Sequence, residues 1–265
     1  MKSAIKLEVN FESGKSLLGS CFFSTPYKII DITENKKVGD LHLMLMSSSP
    51  GMLDGDVTNL NIHIKSNANL QLHTQSYQRL FQMREGATQQ MDVVQDENSC
   101  FVFLPRPVVP HENSIFKSVN NIYLSKGSLL IWGEVLTCGR KNNGEVFKFT
   151  SFQSVTNIFI NQKLVVKENL FVQPNKLLPD VIGQLEGFTH QASLLILDEH
   201  YDFNLFKDEM VALYANMEGI TFGISKLPVN GVVVRMLGYK AELLYDCLVD
   251  IAVYFKNKKI LNGFG

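Results

Sequence analysis

The chain has 265 residues, 45% of them hydrophobic and 19% charged, with a formal net charge of −1. That length supports a sizeable core, and the near-neutral charge argues against nucleic acid or an anionic membrane as partner. No apolar run reaches the length of a membrane span. The four cysteines, Cys21, Cys100, Cys138 and Cys247, are too dispersed for a zinc site of ordinary spacing. The alternating start Met1–Glu8 lacks a signal peptide's apolar block, so a cytoplasmic location is expected.

From the start to about residue 170 the chain reads as strand after strand. Ile5, Leu7, Val9 and Phe11 alternate onto one face, and Leu17–Phe23 forms a second strand after the Ser13-Gly14-Lys15 turn. Tyr27–Ile32 is a short strand, followed by a solvated loop at Glu34–Lys37. Leu41–Met46 and Thr58–Ile64 flank the corner Ser47–Asp56. Within it, Pro50-Gly51 suits a type II turn and Asp54-Gly55 a second turn. Asp56 begins the next strand, where a carboxylate has no propensity reason to be; its plainer role is to cap the turn.

Asn67-Ala68-Asn69 reads as a hairpin tip, a register that sets His63 opposite His73. Thr74–Arg84 is rich in amides and arginine. Cys100–Leu104 is a continuous apolar strand, and Pro105–Pro110 is an extended edge or bend. After Ile115–Leu124, the strand Leu129–Leu136 contains two odd residues. Gly133 points to a bulge or a close backbone approach. Glu134, if buried, needs a partner, for which Arg140 and Lys141 are candidates. Asn142-Asn143-Gly144 predicts a tight hairpin into the strand Glu145–Phe149. Val155–Ile160 and Leu164–Val166 form another hairpin. Turn signals every ten or so residues indicate an all-β layered fold, with no fixed-length repeat and no linker.

The character then changes. Pro174–Gly187 is irregular or one short helix, and Ala192–Leu197 is a strand. Apolar spacing predicts helices over about Asn204–Asn216 and Tyr239–Lys256. Between them Asn230-Gly231 marks a hairpin joining Ile220–Leu227 to Val232–Leu237. The division is thus a β body over about 1–200 and a helix-hairpin-helix part over about 201–265, within a single domain spanning 1–265. The basic run Lys256–Lys259 reads first as a solvated helix end. No phosphate-binding glycine loop, nucleophile elbow or paired-histidine motif is present, so nothing in the sequence proposes catalysis.

Taken together, several segments resemble the UreD (UreH) family of urease accessory proteins. They are Ser49-Pro50-Gly51 with Gly55-Asp56, Thr74-Gln75-Ser76, Leu104–Pro110, Glu134–Arg140, Gly144–Phe147, and Leu237-Gly238 before the last helix. They fall in the family's order across most of the chain. The departures are Met52 and His73, where the family often carries Gly and Thr, and Cys138, where an apolar residue is expected.

The resemblance implies a mainly β fold of twisted, β-helix-like stacked sheets with two late α-helices. It implies a non-enzymatic urease maturation scaffold that binds apo-urease with the accessory proteins UreF and UreG and supports nickel delivery. No cofactor is expected to be tightly bound, with nickel only in transit. A polar nickel passage would account for Asp56, Glu134 and Glu145 as metal-path carboxylates, with Gln75 and Arg140 beside them. A buried polar network accounts for the same residues equally well. The region Tyr239–Phe264 is the expected partner-binding part. The alternative is a β-sandwich carbohydrate-binding module or enzyme, against which the single Trp132, in an apolar strand, argues.

Overall fold

The computed structural model describes residues 1–34, 39–179, 181–214 and 217–261. Three expectations touch residues outside these: the Glu34–Lys37 loop beyond Glu34, the end of the first helix at Asn216, and Phe264. Among the described residues the fold is mostly β, with two helices late in the chain, matching the expected class.

Two sheets face each other. In chain order the first strands are β1 (Lys2–Glu12), β2 (Lys15–Phe23), β3 (Tyr27–Asp31) and β4 (Leu41–Ser47). A coil then begins. β5 (Val57–Ile64), β8 (Ala87–Gln95) and β11 (Ile115–Leu124) lie in the first sheet, and each leads directly into a strand of the second: β6 (Asn69–Thr74), β9 (Cys100–Leu104) and β12 (Leu129–Thr137). The short β7 (Gln78–Leu80) and β10 (Val108–Pro110) line the returning corner. β13 (Ser151–Ile160) and β14 (Lys163–Val172) finish the first sheet, giving the order β14-β13-β11-β8-β5-β1-β2. β15 (His190–Asp198), β16 (Ile220–Lys226) and β17 (Gly231–Gly238) extend the second sheet beyond β12. The helices are α1 (Asn204–Tyr214) and α2 (Ala241–Leu261).

The turn at Asn67-Ala68-Asn69 is therefore not a hairpin. β5 and β6 belong to different sheets, so His63 and His73 are not cross-strand partners. Three equivalent arcs carry the chain between sheets, each closed by a backbone bond: Ala68 N to Lys65 O, Ser99 N to Asp96 O, and Ser128 N to Ser125 O. The third residue of each, Asn67, Asn98 or Gly127, has positive φ, which Asn and Gly adopt at least cost. The arcs stack, Asn67 N donating to Glu97 O and Asn98 N to Lys126 O, both at 3.0 Å. A turn signal fixes a local backbone shape but not the layer that the next strand joins. The coil repeats in space without a repeat in sequence because its return corners differ.

Two other turns also differ from expectation. Residues Lys141–Asn143 form a 3-10 turn capped by left-handed Gly144, and no strand follows over Glu145–Phe149. Gly51 does not have positive φ, so Pro50-Gly51 is not a type II turn. Gly51 is needed for a different reason: a Cβ there would lie 2.3 Å from the Arg79 carbonyl oxygen. The Asp54-Gly55 turn does form, with Gly55 at φ +74°. So does the β13–β14 hairpin, through Asn161 and Gln162 at positive φ. β16 and β17 also pair antiparallel, although Gly231 already opens β17.

The core has two main sides. Between the sheets, Leu7, Ile62, Val93, Ile122, Ile158 and Val166 form one buried row across the first sheet. Leu43, Leu72, Phe103, Trp132 and Leu195 face it from the second. On the outer side of the second sheet, Leu244, Leu248, Ile251 and Phe255 of α2 and Phe206 and Met210 of α1 bury Ile131, Val135 and Leu194. Gly133 is the close-approach site: an added Cβ would lie 2.6 Å from Leu104 Cδ2 and 3.2 Å from Leu248 Cδ1.

Candidate functional site

Along the strands from the apolar row the interior turns polar, one inward position on in the second sheet and two in the first, where Ile5, Leu60 and Met91 lie between. In the first sheet Ser3, Thr58, Gln89, Ser118 and Ser154 occupy neighbouring inward positions on five adjacent strands. Beside them lie Asn120 and Thr156. In the second sheet the matching inward positions are Thr74 on β6, Glu134 on β12, Ser193 on β15 and Arg235 on β17. At the next step the interior is apolar again, with Met52, Ala87, Phe116, Leu136 and Phe152. A polar band thus crosses the sandwich between two apolar clusters. It borders a cavity of about 180 Å³ whose lining includes Asp56, Gln75 and Glu134. Arg235 and Glu168 join the sheets at one end of the band, Nη2 lying 2.6 Å from a carboxylate oxygen.

Glu134 takes its partners from the first sheet. Ser154 Oγ donates to Oε1 at 2.9 Å, and Asn120 Nδ2 lies at 3.5 Å. The expected pairing with Arg140 or Lys141 does not form, because Arg140 is taken by Glu145. Burial pushes the Glu134 carboxyl pKa up, and the hydroxyl of Ser154 only partly offsets this.

Asp56 sits immediately before β5. One oxygen accepts the Leu53 N–H at 2.8 Å, and the other meets the Met1 amino group at 2.7 Å. It therefore caps the turn and also lines the cavity. Gln75 is exposed, just after β6.

Arg140 and Glu145 lie apart from these. Glu145 is buried, accepts from Arg140 Nε at 2.9 Å and from the Glu112 N–H at 3.2 Å, and pins the loop after β12. The Arg140 hydrogen bond, ahead of the smaller effects around it, holds the Glu145 pKa down. Arg140 lines a second cavity, of about 440 Å³, with Lys141, His190 and Glu242. The structure thus brings together Asp56, Gln75 and Glu134, and separates Glu145 and Arg140. Among the described residues, no group of three His, Cys, Asp or Glu is placed to hold a metal ion.

Ser118, Asn120, Ser154 and Thr58 were not singled out from the sequence. Their signal was there: small polar residues at the inward positions of strands otherwise filled by Ile, Leu and Phe. Reading it requires knowing which strands are neighbours.

A family model for the UreD urease accessory protein matches residues 1–262. This chain belongs to the UreD family. It is 47% identical to a urease accessory protein UreD of Flavobacterium johnsoniae, over 95% of this chain and 91% of that one. It is 33% identical to the UreD of Actinobacillus pleuropneumoniae serotype 5b, over 97% and 98% of the two chains. The UreD of Acetivibrio thermocellus is 31% identical, over 93% and 94%. These relatives are named as accessory proteins and none as an enzyme, in keeping with the expected non-enzymatic maturation role. As a UreD protein the chain falls to urease maturation rather than to carbohydrate binding. Among the described residues, no helix is long and apolar enough to cross a membrane.

The expected partner-binding region Tyr239–Phe264 of this UreD chain contains α2. The apolar stripe of α2 is largely used internally, since Leu244, Cys247, Leu248, Ile251 and Phe255 are buried on the second sheet. What α2 leaves outward is narrower, with Val253 51% exposed and Tyr239, just before it, 46% exposed.

Proposed function

We infer that this UreD chain is a cytoplasmic maturation scaffold that binds apo-urease together with UreF and UreG and conducts nickel toward the urease site through the polar band between its sheets. The observation that carries this reading is the position of Glu134. A carboxyl between two sheets, with a hydroxyl and an amide but no cation to offset it, is costly. A hard oxygen donor flanked by hydroxyls and amides suits a hydrated divalent cation in transit, held weakly enough to leave. Asp56, at the same cavity, supplies a second carboxylate.

The test is co-expression of urease, UreF, UreG and this chain carrying Asp56→Asn or Glu134→Gln. Both substitutions keep the shape of the side chain; Glu134→Gln also keeps the oxygen that accepts from Ser154, whereas Asp56→Asn gives up one of the two acceptors that serve Leu53 and Met1. The expected result is an accessory complex that still co-purifies, with nickel in urease reduced about tenfold, the scale of losing one tuning contact at a metal site. Normal nickel content with both substitutions combined would remove the transit reading and leave these residues as structure.

A further inference from the structure

His73 does not face His63, but the fold gives it another histidine. β4 and β6 are parallel neighbours, with Met44 beside His73 and His42 beside Gln71. Leu41, Leu43, Leu70 and Leu72 point into the inter-sheet core, so His42, Met44 and His73 share the opposite, outer face of the second sheet. Neighbouring strands lie about 4.8 Å apart, and positions two apart on a strand about 6.6 Å. The three side chains therefore start from the corners of a compact triangle. All three are half-buried.

We propose that His42, Met44 and His73 form a binding site for a soft, late transition-metal ion, with Cu(I) the ion it suits best. Two imidazoles and a thioether are a soft donor set, and the thioether discriminates against hard cations and favours Cu(I). Both histidines are held below their ordinary pKa, chiefly by burial, so they are neutral and able to ligate near pH 7. The nearby ammonium of Lys256 is paired with Asp40 at 2.5 Å and the guanidinium of Arg106 is stacked over Tyr245 at 4.5 Å, though both still act on the rings as positive charges, which favours an ion of single charge. The site lies on the far side of the second sheet from the polar band. An ion held there is off the proposed nickel path, and the inference stands whether or not that path exists.

The test uses the purified full-length chain under anaerobic conditions, with Cu(I) supplied from a chromophoric chelator whose colour is lost as the protein takes the ion. One equivalent is expected to transfer. His42→Ala, His73→Ala and Met44→Leu should each weaken uptake by about tenfold or more. Glu134→Gln should leave uptake unchanged, which separates this site from the inter-sheet cavity. Met44→Leu keeps the volume and the strand, so loss of Cu(I) with an unaltered melting curve identifies the thioether as a ligand. Undiminished uptake by Met44→Leu, uptake surviving loss of both histidines, or no uptake by the parent chain would each overturn the proposal.

Discussion

Glu134 on β12 and Ser154 on β13 meet across the interior, the Ser154 hydroxyl donating to the Glu134 carboxyl at 2.9 Å. The contact joins the two sheets where their inward faces change from apolar to polar. Among the described residues Glu134 has no basic partner: Ser154, Asn120 and Trp132 lie beside it, and the charge of Glu168 acts on it from further off.

Glu134→Gln is expected to stabilise the fold at pH 7. The pKa of Glu134 is raised in the folded state, so the native protein holds this proton more tightly than the unfolded chain. Wild-type stability therefore falls as pH rises above about 4.3, the ordinary glutamate value, toward the folded pKa. The variant lacks that loss. Melting curves from pH 4 to pH 8 should show little difference at the acid end and a growing advantage for Gln toward neutrality. A variant that melts lower throughout would mean that the carboxyl is compensated in a way its contacts do not reveal.

Gly51 and Gly55 should respond differently to alanine. At Gly51 the new Cβ would meet the Arg79 backbone, which cannot swing aside, and the expected cost is about 3 kcal/mol. At Gly55 the space is open and only the positive φ resists, for about 1 kcal/mol. At about 2–4 °C per kcal/mol for a chain of this size, differential scanning fluorimetry separates the two. Equal shifts would show that the corner relaxes around Gly51.

Glu145→Gln should destabilise the loop after β12 in a pH-dependent way. The folded pKa of Glu145 is depressed, chiefly by its hydrogen bond from Arg140. Its contribution is present above the unfolded carboxyl value and is lost as pH falls through the folded one. The melting midpoint of the variant should lie below wild type at pH 7 and converge with it in acid. A gap that persists at low pH would assign the effect to loop packing instead.

Val253 tests the outward side of α2. Removing Tyr239–Gly265 would strip Leu244, Leu248, Ile251 and Phe255 from the second sheet and unfold the protein, so truncation cannot separate docking from folding. Val253→Asp changes an exposed position instead. If UreF docks on this face, co-purification with UreF should weaken about tenfold or more with the melting midpoint kept. Full retention of UreF would place docking elsewhere.

The sequence by itself determined most of the strands, the two late helices and the family, though not the stretch Glu145–Phe149, which reads as a strand and is not one. Alternation at Ile5–Phe11, the apolar spacing of the late helices and the left-handed residues at the arcs are local properties, carried by neighbours along the chain. Tertiary structure decided which strands lie side by side. Asn67-Ala68-Asn69 has the same local shape whether it ends a hairpin or crosses between sheets; only the burial of both leucine faces against each other chooses the crossing. That choice moved His73 from His63 to His42. It also assembled Ser3, Thr58, Gln89, Ser118 and Ser154 from five separate strands into one row. Glu134 was legible as an anomaly, since a carboxylate in an apolar strand needs explaining wherever it points. Its partner was not, because Ser154 comes from the other sheet, and side chains that meet across an interior leave no mark of their pairing in a single sequence.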